Sequence, residues 1–342
     1  MKWIRIFTRI ELVLIYLVIL AGSVVRMTGS GMGCPVWPKC FGHLIPPTER
    51  EQLEWHPQQD FKKGQIIIVN ESLQVARRDF TSGSSYETTN WETYTKHDYA
   101  LFNPAHTWTE YINRLIGALA GIPMFILVLI SLFRIRQNWR WFILSLSGLL
   151  LLGFEAWLGK LVVDGNLIPG SITIHMLGAL AIIVVLCLLL ISTTPTRNGF
   201  TTPSNFKWGL VAAVIFTLIQ IVLGTQVREQ IDIANEESLQ RIHWIAQLDW
   251  SFYVHRSFSI LILLLNFWLW RQQKKLGNLL PQMNSVMLLI LAEIVLGILL
   301  SYLALPKFAQ PAHLLLGAAL FGMQFFGLIK VFVESQKTER LL

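Results

Sequence analysis

Three histidines and an asparagine occupy comparable positions in long apolar stretches of the sequence, and they are the best candidates for a metal site. His175, His255 and His313 each lie near the start of such a stretch, as does Asn113. Neutral imidazole is a common ligand for iron, and a heme iron accepts two imidazoles from opposite faces of its macrocycle. A hydrogen-bonded interior histidine is the alternative for any single residue, and zinc would prefer further Cys or carboxylate ligands at the same depth. Because the positions repeat, we predict heme ligation by His175, His255 and His313.

Acidic residues near these positions are candidates for proton transfer. Glu110 precedes Asn113 by three residues, which puts both side chains on one face of a helix. Its carboxylate is a candidate catalytic group that carries a proton or stabilises charge; the alternative is an acid favoured by the helix dipole. Glu155 and Glu293 lie inside apolar stretches, and we interpret them mainly as hydrogen-bonding groups and secondarily as parts of a proton path.

Four arginines fall near the level of the histidines: Arg26, Arg114, Arg228 and Arg256. A guanidinium can bind a heme propionate through two parallel hydrogen bonds. The alternative is that these side chains extend toward the bilayer interface. We keep both interpretations for Arg26 and Arg228, and predict that Arg256 binds the cofactor and Arg114 the substrate heme.

The elements that must position these residues are membrane-spanning helices. The chain has 342 residues, of which 53% are hydrophobic and only 14% charged, whereas soluble domains carry about 25% charged residues. A stretch of roughly 20 apolar residues crosses the hydrocarbon layer as a helix, which satisfies its own backbone there. The sequence predicts eight such helices, at 8–26, 107–133, 141–162, 170–193, 206–227, 250–270, 282–304 and 309–333.

Cationic residues are concentrated on one side of the predicted helices. With a cytoplasmic N-terminus, that side receives Lys2, Arg5, Arg9, Arg134, Arg136, Arg140, Arg197, Lys207, Arg271, Lys274, Lys275, Lys337 and Arg340. This distribution follows the positive-inside rule and accounts for the net charge of +7 without a nucleic-acid partner. We predict a multi-pass protein of the inner (plasma) membrane with cytoplasmic termini and residues 27–106 outside.

Two of the three cysteines lie in this outer segment. Cys34 and Cys40 are close in sequence and in a compartment where disulfides persist, so we predict that they pair. Two free thiols or a metal site are the alternatives, although no further outer cysteine exists to complete a metal site. Cys187 lies in the fourth predicted helix and is interpreted as packing.

Three groups of residues recur in the same order in the two halves of the chain. They are Gly22-x-x-Val25-Arg26 and Gly224-x-x-Val227-Arg228, Tyr111-x-Asn113-Arg114 and Tyr253-x-His255-Arg256, and Glu155, Gly159, His175 and Glu293, Gly297, His313. Such self-similarity indicates a repeated architecture. The sequence therefore predicts an all-α polytopic membrane protein built as two pseudo-repeated four-helix bundles, residues 1–195 and 205–342. In each bundle the second and fourth helices can face one another and build a cofactor site.

Over nearly its whole length the chain resembles the heme A synthase family. The resemblance rests on the run from Arg26 to Cys40, on the Glu110-Tyr111-x-x-Arg114 opening of the second helix, and on the stretches 159–175 and 297–313. It implies an enzyme that oxidises the ring D methyl group of heme O to a formyl group, giving heme A for cytochrome oxidase assembly.

The resemblance also implies roles for individual residues. It implies a heme b cofactor on His255 and His313 in the C-terminal half, and substrate heme in the N-terminal half with His175. It further implies that Glu110 is catalytic and that Cys34 and Cys40 form an extracytoplasmic disulfide.

One position departs from the family's pattern. The family's usual histidine on the second helix is Asn113 here, and an amide oxygen is a poor ligand for iron. Either the substrate heme is five-coordinate on His175, or another residue replaces the ligand. His106 is the leading substitute because it lies seven residues before Asn113, about two helical turns away, and His97 is a weaker one. A different heme substrate, or loss of the reaction, is the remaining alternative.

Two other functions fit the same residues. A bis-histidine membrane cytochrome would pass on electrons from quinol without chemistry on the heme. A heme-handling or transport protein would use the repeat as a passage. The partners expected for a synthase are heme O, heme O synthase, cytochrome oxidase assembly factors, membrane lipid and an electron donor or acceptor that the sequence does not identify.

Overall fold

Eight long helices make up most of the structure. The computed structural model describes residues 1–96, 101–164, 170–194, 202–236, 241–277 and 279–339. The helices are α1 (Lys2–Thr28), α2 (Pro104–Phe133), α3 (Trp139–Asp164), α4 (Ser171–Thr193), α5 (Ser204–Glu236), α6 (Trp250–Lys275), α7 (Met283–Tyr302) and α8 (Ala309–Glu339). All eight are long and apolar enough to cross a membrane. The chain is therefore a multi-pass membrane protein, and the predicted fold class is confirmed.

Several helices extend beyond the apolar stretches that predicted them. α5 continues to Glu236 because Arg228 and Asp232, four residues apart, pair at 2.5 Å along the helix surface. α2 begins at Pro104, where Oδ1 of the capping Asn103 accepts the amide N–H of Ala105 at 3.0 Å. Proline suits this first position because its missing N–H would have no intrahelical partner.

The four helices of each half pack in a ring. In the first half α1 packs on α2, α2 on α3, α3 on α4 and α4 on α1, and α5 to α8 repeat this order. The second and fourth helices of a ring are diagonal to one another. α2 and α4, and likewise α6 and α8, therefore stand on opposite sides of the centre of a bundle, where inward side chains can build a site.

The two halves meet along α1, α4, α5 and α8. A polar network joins them at the loop side, defined here as the end of the bundle from which residues 29–103 emerge. Asp232 of α5 accepts hydrogen bonds from Arg26 of α1 at 3.2 Å and from Arg228 at 2.5 Å. Arg228 also donates to the backbone carbonyl of Arg26 at 3.1 Å. Side chains from both halves thus hold the loop-side ends of α1 and α5 together.

In residues 29–103, the inserted segment, the described parts 29–96 and 101–103 contain five short strands where the sequence analysis predicted none. They are β1 (Asp60–Phe61), β2 (Ile66–Val69), β3 (Ser72–Ala76), β4 (Phe80–Thr81) and β5 (Trp91–Thr93). All pairings are antiparallel, with β2, β3 and β5 in one sheet and β1 and β4 in another. Asn70 and Glu71 form the turn between β2 and β3, both with positive φ, as a two-residue hairpin turn of type I′ requires.

The inserted segment has its own core next to the predicted disulfide. Cys34 and Cys40 are joined, as predicted, and both are buried. They pack with Phe41, Leu53 and β2 residues, and Tyr111 of α2 borders the same cluster. The disulfide loop therefore lies against the beginning of α2.

Candidate functional site

His255 on α6 and His313 on α8 face one another within the second half. Their ring centroids are 6.2 Å apart, with the ring planes at 85°. An imidazole nitrogen lies about 2 Å from the metal that it ligates and the ring centre about 1 Å further, so two imidazoles on opposite sides of one ion have centroids about 6 Å apart. The structure thus brings these two predicted ligands together at a separation that suits a single iron.

An oxygen atom lies close to Nδ1 of each predicted histidine ligand, although within the described residues His313 Nδ1 forms no hydrogen bond of regular geometry. His175 Nδ1 hydrogen bonds to Oε2 of Glu155 at 2.7 Å, and His313 Nδ1 lies 2.7 Å from Oε2 of Glu293. His255 Nδ1 lies 3.2 Å from the backbone carbonyl oxygen of Gln220. A histidine that donates from Nδ1 keeps its lone pair on Nε2, which is the usual arrangement of a metal-binding imidazole.

Glycines on adjacent helices leave space for these side chains. A Cβ added at Gly224 of α5 would lie 3.1 Å from Cε1 of His255, and one at Gly297 of α7 would lie 3.9 Å from Cε1 of His313. At Gly224 the missing side chain therefore allows the α5 backbone to approach the imidazole closely, whereas the distance at Gly297 is an ordinary contact.

The available donors suit a porphyrin better than a bare ion. Among the described residues, no group of three or more His, Cys, Asp or Glu side chains is placed to hold a metal ion. A structural zinc site needs four protein ligands, whereas a heme iron takes only its axial ligands from the protein. The His255–His313 pair has the number and type of donors for such a site, and its role as the ligand pair remains a prediction.

In the first half, Asn113 occupies the place that corresponds to His255. Its Oδ1 lies 3.8 Å from the position of a Cβ added at Gly22 of α1, which repeats the contact between Gly224 and His255. His175 is half-buried on α4, the diagonal helix, with 32% of its side chain exposed. This half therefore offers one imidazole with an oriented Nδ1, opposite an amide side chain.

Glu110 is buried beneath the disulfide loop, with 4% of its surface exposed. Its Oε2 accepts the backbone N–H of Cys34 at 2.8 Å, and its Oε1 accepts a hydrogen bond from Arg114 one turn further along α2. The predicted catalytic carboxylate thus lies where α2 meets the inserted segment.

Arg114 forms most of the contact between α2 and the disulfide loop. Its guanidinium donates to the carbonyl oxygens of Val36 at 2.7 Å, Lys39 at 3.2 Å and Cys34 at 3.2 Å. Together with Glu110 it forms the loop clamp, the name used below for this pair and its bonds to residues 34–39. A role in binding the substrate heme remains a prediction for Arg114.

His106 lies in the first turn of α2, close to the disulfide loop. Its backbone N–H is 3.3 Å from Oδ1 of Asn103, and a Cβ added at Gly33 would lie 2.6 Å from its carbonyl carbon. Its imidazole is half-buried, and its role as a substitute ligand remains a prediction. His97 lies outside the described residues.

The predicted heme-side arginines have different surroundings. Arg256 is exposed, with its guanidinium 5.8 Å from the ring centroid of Phe252 and 5.7 Å from that of Tyr253. Arg26 and Arg228 belong to the network between the halves. The cofactor-binding role of Arg256 also remains a prediction.

The chain matches a family of known proteins over most of its length. A family model described as "Cytochrome oxidase assembly protein" matches residues 5–82 and 84–325 of the chain. The chain belongs to this family. The resemblance drawn from the sequence is thereby confirmed at the level of the family.

Two curated relatives of this cytochrome oxidase assembly family member are named Heme A synthase. The one from Shewanella oneidensis is 29% identical over 228 residues, which cover 63% of this chain and 54% of the relative. The one from Bartonella tribocorum is 28% identical over 236 residues, covering 66% and 58% respectively. The chain therefore spans little more than half the length of the curated relatives that it matches.

Sequence reasoning missed some residues that shape the site in this family member. Gln220 on α5 contacts both the ring and the backbone of His255. Its carbonyl oxygen lies near Nδ1 of the ring, and its Nε2 donates to the His255 carbonyl oxygen at 2.9 Å. Its position four residues before Gly224, one helical turn ahead of the repeated group, is the one signal that could have indicated it. Asp232 was also missed, although its spacing of four residues from Arg228 favours an ion pair on a helix.

Proposed function

We propose that this cytochrome oxidase assembly family member is a heme A synthase, which oxidises the ring D methyl group of heme O to a formyl group. The observation that carries the proposal is the His255–His313 pair, with ring centroids 6.2 Å apart. The name shared by the curated relatives supports the same reaction.

In this proposal the two halves have different tasks. Residues 205–342 would hold a heme b through His255 and His313, with Arg256 as a candidate for its propionates. Residues 1–195 hold the substrate heme on His175, next to Asn113 and Arg114, with His106 as the candidate substitute ligand. A heme b bound in this way supplies one-electron redox chemistry.

Glu110 is the proposed catalytic residue. Its carboxylate is buried one turn before Asn113 on α2, so it can accept or return a proton at the loop-side end of the first half. The hydrogen bonds from Cys34 and Arg114 hold both carboxylate oxygens in place, and the group is buried.

The proposal includes a membrane orientation and partners. Both termini lie in the cytoplasm, and the inserted segment lies outside the plasma membrane, where its disulfide persists. Heme O arrives through the membrane from heme O synthase, and heme A leaves to cytochrome oxidase assembly factors. The electron donor or acceptor is a separate partner.

The decisive experiment is pigment analysis of cells that express the chain with a source of heme O. Extraction and chromatography should show heme A, and Glu110→Gln should abolish it while heme remains bound, because the amide keeps the size of the carboxylate and accepts from one of its two donors, Cys34 or Arg114, but cannot take up a proton. His313→Ala should remove the low-spin heme absorbance. Wild-type protein that binds heme but forms no heme A would refute the proposal.

A bis-histidine cytochrome that only relays electrons is the second candidate, favoured by the presence of both axial histidines in the second half. In that case heme A would be absent, and Glu110→Gln would leave electron transfer unchanged.

A further inference from the structure

A carboxylate on the preceding helix accompanies one histidine in each half. Glu155 of α3 lies 2.7 Å from Nδ1 of His175, and Glu293 of α7 lies 2.7 Å from Nδ1 of His313. The two glutamates are largely buried, with 15% and 16% of their side chains exposed. Acidic side chains are costly inside a membrane and persist there where they have a partner.

The contacts of these glutamates point to a single partner each. In the part of the chain that the structure describes, Oε1 of Glu155 and Oε1 of Glu293 are buried without a hydrogen-bond partner. Among the described residues, the other oxygen of Glu155 is hydrogen-bonded to His175 Nδ1 at 2.7 Å, whereas the other oxygen of Glu293 lies 2.7 Å from His313 Nδ1 as an ion-pair contact without a regular hydrogen bond. A glutamate that served to join helices would instead have its contacts on several neighbouring elements.

We propose that Glu155 and Glu293 are positioning residues, which hold His175 and His313 with Nδ1 toward the carboxylate and Nε2 toward the iron. This inference rests on the proposed function, because it assumes that both histidines bind heme. A carboxylate that accepts from Nδ1–H fixes the tautomer and ring orientation of a metal-binding histidine and makes it a stronger donor.

The second half would then hold its iron between two unequal ligands. His313 has a carboxylate behind it, whereas His255 has the neutral backbone carbonyl of Gln220 at 3.2 Å. A more strongly donating ligand stabilises the oxidised iron, so Glu293 should lower the midpoint potential of this heme.

Glu293→Gln and Glu293→Ala in the full-length protein test the inference on the second half. We expect Glu293→Gln to retain low-spin heme with a raised midpoint potential, because an amide is a weaker acceptor than a carboxylate. Glu293→Ala should weaken heme binding about 10- to 100-fold, the usual effect of losing such a partner. Potentiometric titration and heme affinity of the purified protein measure both changes.

Glu11→Gln is the matched control. Glu11 is fully buried in α1 and, within the described residues, neither of its carboxylate oxygens has a hydrogen-bond partner. The same isosteric change there should leave the potential and the heme affinity unchanged. An equal shift in Glu11→Gln and Glu293→Gln would overturn the inference, since the effect would then follow from losing any buried acid.

A steric test addresses the first half without removing the carboxylate. A Cβ added at Gly178 would lie 1.8 Å from Oε1 of Glu155, so Gly178→Ala must displace the carboxylate. At the corresponding Gly317 the nearest oxygen of Glu293 is 4.0 Å away, an ordinary contact. We expect Gly178→Ala to lower the iron–histidine stretching frequency of the reduced heme on His175, and Gly317→Ala to leave the second heme's spectrum unchanged.

The outcomes separate this inference from the proposed function. If His313→Ala retains low-spin heme, the proposed function is wrong. If His313→Ala loses that heme while both Glu293 variants match wild type in potential and affinity, the positioning role is wrong and the proposed function stands.

Discussion

Replacing Arg114 with alanine should release the disulfide loop from α2. Arg114 donates to three loop carbonyls and to Glu110. Only 13% of its side chain and 5% of the Glu110 side chain are exposed. The substitution therefore leaves a buried carboxylate without its cation and several loop carbonyls without a donor.

The size of the effect follows from this burial. Removing one partner of a buried ion pair costs about 3 to 5 kcal/mol, and we take about 3 kcal/mol because Arg114 is slightly exposed. Each 1.4 kcal/mol is a tenfold change in equilibrium constant. The loop should therefore open about 100 times more often in Arg114→Ala than in the wild type.

Reduction of the disulfide measures this opening. Cys34 and Cys40 are 0% and 1% exposed, so a water-soluble phosphine reaches them through the open state, and the rate of reduction follows its population. Free thiols are labelled with a maleimide-linked polymer at successive times. The fraction of protein that shifts on a gel then gives the rate of reduction. We expect reduction about 100-fold faster in Arg114→Ala, in line with the opening constant.

Arg50→Ala provides the control on the same segment. Arg50 pairs with Glu71 at 2.6 Å, but 44% and 67% of the two side chains are exposed. Such a pair contributes about 0 to 1 kcal/mol, so the rate should change little. Equal rates in Arg114→Ala and the wild type would refute the argument that the loop clamp keeps the disulfide buried.

Three further predictions concern the inserted segment and the second half. Gly33→Ala should loosen the inserted segment, because its Cβ would lie 2.6 Å from backbone atoms of α2; limited proteolysis should cut the segment faster, and unchanged cleavage would contradict the contact. Burial and the nearby Lys39 hold the pKa of His43 below its ordinary value of 6.5, so the unfolded segment binds this proton more readily, and stability falls as the pH drops below about 6.5. Proteolysis at pH 5 should therefore exceed that at pH 7.5, and His43→Gln should reduce the difference. Gly224→Ala should displace the His255 ring, whose Cε1 would be 3.1 Å from the new Cβ; a low-spin heme spectrum identical to wild type would argue against the close fit.

The membrane part of the fold was predictable because its signals are local. Apolar length alone predicts a spanning helix, and the eight predicted stretches all correspond to helices. Their ends were less predictable. Arg228 and Asp232 stop the apolar stretch but support the helix, so α5 continues past its predicted end.

The strands of the inserted segment were missed although a signal was present. Ile66–Val69 is a run of β-branched residues. Asn70 and Glu71 connect it to Ser72–Ala76, in which apolar and polar residues alternate in part. Strand propensity depends strongly on what covers each face, and the polar composition of the segment concealed the hairpin. The hairpin packs against the disulfide and Tyr111 of α2. These residues are distant in sequence, so local sequence does not indicate that they cover the hairpin.

The candidate site was predictable where the repeat carried it. The matching Glu-Gly-His spacing singled out His175 and His313 together with their glutamates, and the structure joins each pair at 2.7 Å. The main-chain partner of His255 was not predictable, because every residue has a carbonyl group and only the packing of α5 on α6 selects that of Gln220.

The carboxylate between the two halves has no equivalent in the first half. Four residues after Arg228 stands Asp232, but four residues after Arg26 stands Ser30. If two copies of the first half associated in the same manner, two guanidinium groups would approach one another with no anion to neutralise them, and like charges repel. The duplicated units are therefore not interchangeable. Pairing between two first halves is disfavoured electrostatically, whereas a second half supplies the anion that Arg26 needs.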